Sequence, residues 1–189
     1  MAANNPFYLV LHHSATPDNK YLSNFEAIRR YHMSFAIDGV IVDRATFYKE
    51  KLKNPKRYFK LPWIDIGYHY VLEFENNEVK IKAGRKIESV GSHVNQKMPD
   101  RTGSIISMNR QSIGVCVVGN FDLAGFNDKM LVKVIRLFGT LLVLYKIPIQ
   151  NVIGHREVPG VIKSCPGKLI DMNNFRYKLN YYINHLMVP

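Results

Sequence analysis

The sequence predicts a mixed α/β (α+β) protein that forms a single domain over residues 1–189, with a central mixed β-sheet packed by helices. Three observations support this fold class. Runs rich in β-forming residues alternate along the chain with amphipathic helical stretches. The length of 189 residues suits one hydrophobic core. The contents of 47% hydrophobic and 22% charged residues are those of a globular protein.

The first elements predicted are a strand and a helix. The run "PFYLVLHHS" is rich in β-forming residues, and "LSNFEAIRRYHMSF" is an amphipathic helix in which Ser23 and Glu26 have the spacing of a capping box. Phe25, His32 and Phe35 fall on the apolar face of this helix. We therefore expect His32 to be packed rather than to bind a ligand.

The following elements are predicted in the same way. Residues 36–62 are expected to be irregular and basic, and "IDIGYHYVLEF" and "EVKIKAG" to form a hairpin around Asn76 and Asn77. "QSIGVCVVGNF" has the pattern of a buried central strand, in which Cys116 is a small apolar residue. An amphipathic helix is predicted from Asn127 to Lys146.

The C-terminal part should hold one more strand and one more helix. "IQNVIGH" is the strand, and "MNNFRYKLNYYINHLM" is the helix, on which His185 is expected to be solvated. The chain contains two cysteines, Cys116 and Cys165, which argues against a disulfide scaffold. We expect both to remain unpaired.

The charge of the chain limits its partners. Lysine and arginine number 26 against 15 acidic residues, a net charge of +11, which predicts attraction to polyanions such as nucleic acid, teichoic acid or lipopolysaccharide. No zinc-finger spacing, RNP-type motif or basic zipper is visible, and we interpret the cluster "KEKLKNPKRYFK" as a solvated loop. The apolar run from Phe7 to Leu11 is too short for a signal peptide or a membrane span. We expect synthesis in the cytoplasm without a signal peptide.

The segment "GHREVPGVIKSCPG" sets His155 ten positions before Cys165. His12 and His155 both lie where predicted strands end, so their imidazoles would converge with Cys165 if those strands are neighbours. Two histidines and a thiolate are zinc ligands, and three protein ligands with an open fourth position are typical of a catalytic zinc site. The spacing alone leaves two alternatives open, a nucleophile with its base and coincidence.

Six segments in order carry a family resemblance: "LHHSAT", "IDIGYHYVLE", "AGR", "GSHV", "NRQSIGVCVVGNF" and "GHREV…KSCPG". Together they resemble the type-2 N-acetylmuramoyl-L-alanine amidases, a family that includes a short coliphage lysozyme and shares its fold with peptidoglycan recognition proteins. The resemblance covers residues 7–170, and residues 171–189 are predicted to add a C-terminal helix.

The resemblance implies a role for particular residues. His12, His155 and Cys165 match the family's zinc ligands, at one face of the sheet. Tyr68 in "GYH" and Lys163 in "KSC" match its catalytic tyrosine and lysine. Without the resemblance, Tyr68 is a half-buried strand residue and Lys163 is a solvated loop residue.

The remaining candidates have weaker matches. His93 in "GSH" and Asn109 before "SIG" resemble positions of the substrate groove. We expect His13 and His69 to be structural. Glu157 is expected to form a local salt bridge or to support a ligand rather than to act as a catalytic base.

The function implied by the resemblance is zinc-dependent cleavage of the amide between N-acetylmuramic acid and the L-alanine of the stem peptide. A cytoplasmically made amidase of this kind resembles a phage endolysin that acts on the cell wall after release. We expect a monomer whose partners are peptidoglycan and anionic envelope polymers, not nucleic acid. Two alternatives remain: a non-catalytic peptidoglycan-binding protein on the same fold, which would lack the thiolate, and a basic nucleic-acid-binding or regulatory protein.

Two segments depart from the family pattern. The stretch from Phe35 to Trp63 is longer than the family's usual connection, and residues 95–108 form a longer loop than compact members carry. Both could line the substrate groove, so they bear on which type of peptidoglycan is accepted.

Overall fold

The computed structural model describes residues 3–16 and 24–187. The strands are β1 (Tyr8–His13), β2 (Phe35–Ile37), β3 (Val40–Val42), β4 (Phe59–Lys60), β5 (Tyr70–Glu75), β6 (Glu78–Ala83), β7 (Lys97–Pro99), β8 (Ile105–Ser107), β9 (Ser112–Val117) and β10 (Val152–Gly154). The α-helices are α1 (Phe25–His32), α2 (Arg44–Lys53), α3 (Asp128–Tyr145) and α4 (Met172–Tyr182). Three short 3-10 turns cover Met108–Arg110, Ile149–Asn151 and His155–Glu157, and a π-helical turn covers Ile183–Met187.

The centre of the fold is a five-stranded mixed sheet in the order β10-β1-β9-β5-β6. β1 is parallel to both of its neighbours, β9 is parallel to β5, and β5 and β6 form an antiparallel hairpin. All six residues of β1 and all six of β9 are buried. These strands can be apolar on both faces because both faces are covered. The mixed sheet packed by helices confirms the predicted fold class.

Alternate residues of β1 serve opposite faces of the sheet. Leu9 and Leu11 belong to the main core, which also contains Phe138 of α3, whereas Val10 belongs to a separate cluster. Because side chains alternate along a strand, His12 shares the face of Val10. The first histidine of the candidate site therefore lies on the side of the sheet away from α3.

The prediction of irregular structure over residues 36–62 was wrong. The segment holds α2 and a three-stranded sheet in the order β3-β2-β4. Phe47 of α2 is fully buried, with its ring 4.9 Å from that of Phe35 and 5.3 Å from that of Phe59. Asp43 caps α2 by accepting a hydrogen bond from the Thr46 backbone N–H at 2.9 Å. An aromatic core of its own thus stabilises this segment, which we call the insertion (residues 35–63).

The loop over residues 95–108 is also more regular than expected, because it contains the antiparallel hairpin β7–β8. The predicted hairpin after Tyr68 is confirmed as β5–β6. Asn76 and Asn77 both have positive φ, at 52° and 62°, as a tight two-residue hairpin turn requires.

Helix α1 is shorter than its predicted pattern. It ends at His32, so Phe35 lies in β2 and not on the helix. Asn24 is the N-cap, and its side chain accepts from the Ala27 N–H at 2.8 Å. Ser23, the cap predicted from its spacing to Glu26, lies outside the described residues.

Both C-terminal helices are confirmed, but the strand predicted over residues 149–155 is limited to β10, because 3-10 turns flank it. The helices over 128–145 and 172–182 are present, and His185 is exposed. Cys116 is buried in β9, and both cysteines are free. Within residues 3–16 and 24–187, every helix is too short or too polar to cross a membrane.

Candidate metal centre

Two histidines meet at the end of neighbouring strands. In the parallel pair of β1 and β10, Leu11 lies beside Gly154. His12, which still lies within β1, and His155, which comes just after β10, follow these partners directly, so both lie at the same end of the two strands. Their ring centroids are 4.6 Å apart. The convergence expected from the two strand ends is therefore present in the structure.

Cys165 joins the two histidines from the loop that follows β10. Its Sγ lies 3.6 Å from His12 Nδ1 and accepts a hydrogen bond from the His13 backbone N–H at 3.4 Å. One ligand atom each from His12, His155 and Cys165 lie within 4.8 Å of one another. This spacing allows the three side chains to hold one metal ion, and we call them the His-His-Cys cluster.

Burial controls the protonation of the cluster. It lowers the pKa of His12 well below its usual value, and it lowers the pKa of His155 to about 4, with help from the positive charge of Lys163. Both imidazoles are therefore neutral at pH 7 and offer a lone pair. Burial raises the pKa of the Cys165 thiol to about 11, so a bound cation has to displace its proton. Two neutral imidazoles and one thiolate are a donor set that suits Zn²⁺.

Two side chains hold the Cys165 loop in place. Asp122 accepts from the Ser164 hydroxyl and from the Lys168 backbone N–H, each at 2.7 Å. Arg156 donates its backbone N–H to the Cys165 carbonyl at 2.6 Å. Its guanidinium donates to three further backbone carbonyls of the loop, those of Ser164, Gly167 and Ile170.

Sequence reasoning missed this loop support. The position of Arg156 directly after His155 in the sequence could have indicated that the arginine supports the loop. The sequence did not indicate that Asp122 supports the loop, because an aspartate among turn residues is expected at a surface.

Tyr68 approaches the cluster from the residues just before β5. Its ring centroid lies 5.1 Å from that of His12. Burial, with smaller contributions from Cys116 and Cys165, raises the pKa of the Tyr68 hydroxyl well above its usual value. The hydroxyl therefore keeps its proton and can donate a hydrogen bond.

Two clefts border the cluster. One, of about 770 Å³, is lined by Tyr68 together with α1 and the β2–β3 turn. The other, of about 550 Å³, is lined by His155 and the exposed Lys163 together with Trp63. The insertion contributes to both clefts, through residues 39–41 in the first and through Tyr58 and Trp63 in the second.

The two residues that resemble groove positions, His93 and Asn109, both line the second cleft. Each is also engaged within the protein. Asn109 Oδ1 accepts from the backbone N–H groups of His93 and Val94, at 2.9 and 3.0 Å. The His93 ring is buried and lies 5.0 Å from that of His12.

Of the histidines not expected to bind a ligand, His13 and His69 are buried, whereas His32 is partly buried and lines the first cleft. His13 Nδ1 accepts from the Phe121 backbone N–H at 3.2 Å, and His69 Nδ1 accepts from that of Gly114 at 3.0 Å. His32 Nδ1 accepts from the Gly67 backbone N–H at 3.1 Å.

Glu157 turns away from the cluster. It forms an ion pair with Arg176 at 2.9 Å and accepts from the Gly154 backbone N–H at 2.8 Å. It thus forms the expected local salt bridge.

Solved structures share the fold of this chain. Amidase LysC from Clostridium intestinale URNW is similar with a TM-score of 0.58 and 20% identity, over 94% of this chain and 87% of that one. Drosophila PGRP-LB is similar with a TM-score of 0.54 and 20% identity, over 88% of this chain and 78% of that one. The protein thus has the fold of amidases and peptidoglycan recognition proteins.

The chain belongs to the N-acetylmuramoyl-L-alanine amidase family, whose model matches residues 2–168. Among curated proteins, the endolysin of Escherichia phage T7 is 31% identical over 109 residues. That match covers 55% of this chain and 60% of the relative's length.

Proposed function

We propose that this protein is a zinc-dependent N-acetylmuramoyl-L-alanine amidase that acts as a phage endolysin. Its substrate is the amide between the lactyl group of N-acetylmuramic acid and the L-alanine of the stem peptide. The observation that carries the proposal is the convergence of His12, His155 and Cys165 within 4.8 Å in a chain of the amidase family. The similarity to phage endolysins supports the biological setting.

Zn²⁺ is the metal we assign to the His-His-Cys cluster. When bound, it acts as a Lewis acid toward a carbonyl oxygen and lowers the pKa of water. His12 and His155 hold their lone pairs free for it because burial keeps them neutral. Three protein ligands leave a fourth position open, which distinguishes a catalytic zinc site from a structural one.

Tyr68 and Lys163 are the proposed catalytic side chains. Negative charge develops on the carbonyl oxygen when the amide is attacked, and donors aimed at that oxygen lower the barrier. Tyr68 offers a hydroxyl that stays protonated. Lys163 offers a positively charged donor at the mouth of the second cleft, and charge-assisted hydrogen bonds are stronger than neutral ones.

The two clefts are the proposed binding site for the glycan and peptide parts of the substrate. His93 and Asn109 line the second cleft and are the substrate-side residues implied by the family resemblance. We propose that the protein works as a monomer on the cell wall after its release from the cytoplasm.

The test compares metal content with amide cleavage. We expect protein purified without added metal to contain one Zn²⁺ per chain and to cleave a muramyl peptide until a chelator is added. Cys165→Ser replaces a soft thiolate by a hydroxyl that binds zinc poorly, so it should lose metal and cleavage together. Cys116→Ala is the matched control and should keep its zinc, because Cys116 lies outside the cluster.

Two results would contradict the proposal. Full cleavage by metal-free protein would exclude the zinc mechanism. Binding of peptidoglycan by a zinc-loaded protein that cuts nothing would indicate a recognition protein instead.

A further inference from the structure

The imidazole of His93 bridges a metal-site histidine and the core of the protein. Its Nδ1 lies 3.0 Å from Nε2 of His12, and its Nε2 lies 3.3 Å from Oγ of Ser112. Ser112 is fully buried in β9, and its hydroxyl also contacts the backbone carbonyl of Met108. Four groups therefore form one continuous chain of hydrogen bonds, which we call the relay: Met108 C=O, Ser112, His93 and His12.

The direction of every bond in the relay follows from the Met108 carbonyl. A backbone carbonyl can only accept, so Ser112 donates its one hydroxyl proton to Met108. Ser112 Oγ then accepts from His93, which must carry its proton on Nε2. A neutral imidazole has one N–H and one lone pair, so His93 Nδ1 accepts, and His12 must donate from its own Nε2. The remaining lone pair of His12 is on Nδ1, the atom that faces Cys165 Sγ at 3.6 Å.

The backbone holds the His93 ring in this position. A Cβ at Gly114 would lie 2.5 Å from His93 Cγ, and a Cβ at Gly91 would lie 2.6 Å from His93 Cδ2. Both glycines thus leave the space that the ring occupies. Asn109 fixes the adjoining backbone by accepting from the His93 N–H. The segments "GSH" and "SIG" therefore supply the ring, its hydrogen-bond partner and the space around it.

We propose that His93 is a positioning residue that, through Ser112 and the Met108 carbonyl, fixes His12 in the tautomer whose Nδ1 lone pair points into the metal site. The opposite tautomer would direct an N–H at the metal and would have to be reversed before binding. This inference rests on the proposed metal centre. It gives His93 and Ser112 a role that does not require contact with substrate.

The first test reads the tautomer directly and needs no metal. In zinc-free protein, the 15N NMR signals of the His12 ring report which nitrogen carries the proton. We expect the proton on Nε2 in the parent. In Ser112→Ala, which removes an acceptor without touching His12, we expect a mixture of the two tautomers. The control is Ser14→Ala, which removes the Gly119 N–H bond at 2.9 Å, two residues from His12, but leaves the relay complete.

The second test measures zinc affinity by competition with a chelating dye. Loss of such a partner typically weakens metal binding about 10- to 100-fold, which is the effect expected for His93→Phe. His93→Gln should recover part of the loss, because its amide oxygen can accept from His12 Nε2 and its amide N–H can donate to Ser112. Rescue by glutamine would separate hydrogen bonding from packing, and it keeps the test valid if His93→Phe fails to fold.

The possible outcomes separate the relay from the proposed function. A parent that binds no zinc would overturn the proposed metal centre and this inference with it. A zinc-binding parent whose affinity is matched by both His93 variants would overturn the relay alone. The relay would also be overturned if Ser112→Ala and Ser14→Ala altered the proportion of the two His12 tautomers to the same extent.

Discussion

Tyr68 and Lys163 approach the His-His-Cys cluster from different parts of the chain and with different chemistry. Tyr68 is held beside His12 by packing, with its ring 5.6 Å from that of His32 on the other side. Lys163 is exposed on the loop that carries Cys165. The Tyr68 ring is therefore held by packing at the wall of the first cleft, and Lys163 belongs to the loop that carries Cys165.

Removal of either donor should separate catalysis from metal binding. Tyr68→Phe and Lys163→Ala each remove a group that we propose donates to the developing oxyanion, but both leave the His-His-Cys cluster in place. We expect kcat for a muramyl peptide to fall about 10²- to 10³-fold, roughly 3 to 4 kcal/mol, with zinc content unchanged. Elemental analysis beside turnover of each variant checks this. Cleavage as fast as that of the parent would remove these residues from the catalytic step.

Single residues differ in how far the sequence alone could place them. His12 and His155 each follow an apolar run, so their meeting at strand ends could be predicted from the pattern. Tyr68 and Lys163 needed the family resemblance, because no spacing distinguishes them from other tyrosines and lysines. The contact of His93 with His12 could not be predicted, because it depends on the space left by Gly114 in a distant strand.

At the scale of elements, the insertion is attached to α1 by a buried lysine. Lys60 is 6% exposed, and its Nζ donates to the backbone carbonyls of His32, Ser34 and Leu61 at 2.8, 3.0 and 3.3 Å. The same Nζ lies over the rings of Tyr31 and Trp63, 5.0 and 5.3 Å from their centroids. Lys60 therefore joins the insertion to the end of the helix beside the first cleft.

Loss of the Lys60 ammonium should loosen this attachment. Lys60→Met keeps much of the volume but leaves carbonyls without their donor, at a cost of about 1 to 3 kcal/mol in the free energy of unfolding. Lys56→Met, at an exposed position of the same insertion, should change it by less than about 0.5 kcal/mol. Urea unfolding of both variants measures the difference. Equal stabilities would show that Lys60 does not hold the insertion.

The insertion also contains secondary structure that the sequence pattern could not predict. Lys60 ends the run "KEKLKNPKRYFK", which the sequence predicts to be a solvated loop. Five residues of that run, 49–53, are helical instead. Strands of two or three residues such as β2, β3 and β4 are too short to show a period. The longer strands β1, β5, β6 and β9 form recognisable β-rich runs and were predicted.

At the scale of the whole molecule, the net charge of +11 bears on how the protein reaches its substrate. A bacterial envelope is polyanionic, and attraction between opposite charges speeds encounter over distances comparable to the screening length. A small soluble muramyl peptide offers much less charge. The basic surface should therefore matter for walls and little for the isolated chemical step.

Salt should accordingly slow the clearing of whole walls more than the cleavage of a soluble muramyl peptide. The screening length falls from about 30 Å at 0.01 M to about 8 Å at physiological ionic strength, so long-range attraction is largely removed over that range. Rates on both substrates across this range make the comparison. If salt slowed the reaction equally on whole walls and on the soluble peptide, the net charge would not contribute to wall binding.

The position of β1 between β9 and β10 has a consequence for how the protein is made. The strands that flank β1 begin only at Ser112 and Val152, and Cys165 is the last residue of the His-His-Cys cluster along the chain. At about 5 to 20 residues per second, the ribosome needs roughly 7 to 28 s after it has synthesised β1 before it has synthesised both neighbours. A nascent chain can assemble the cluster only after Cys165 has left the exit tunnel. Incomplete translation products that stop short of it lack one of the three side chains of the proposed metal centre.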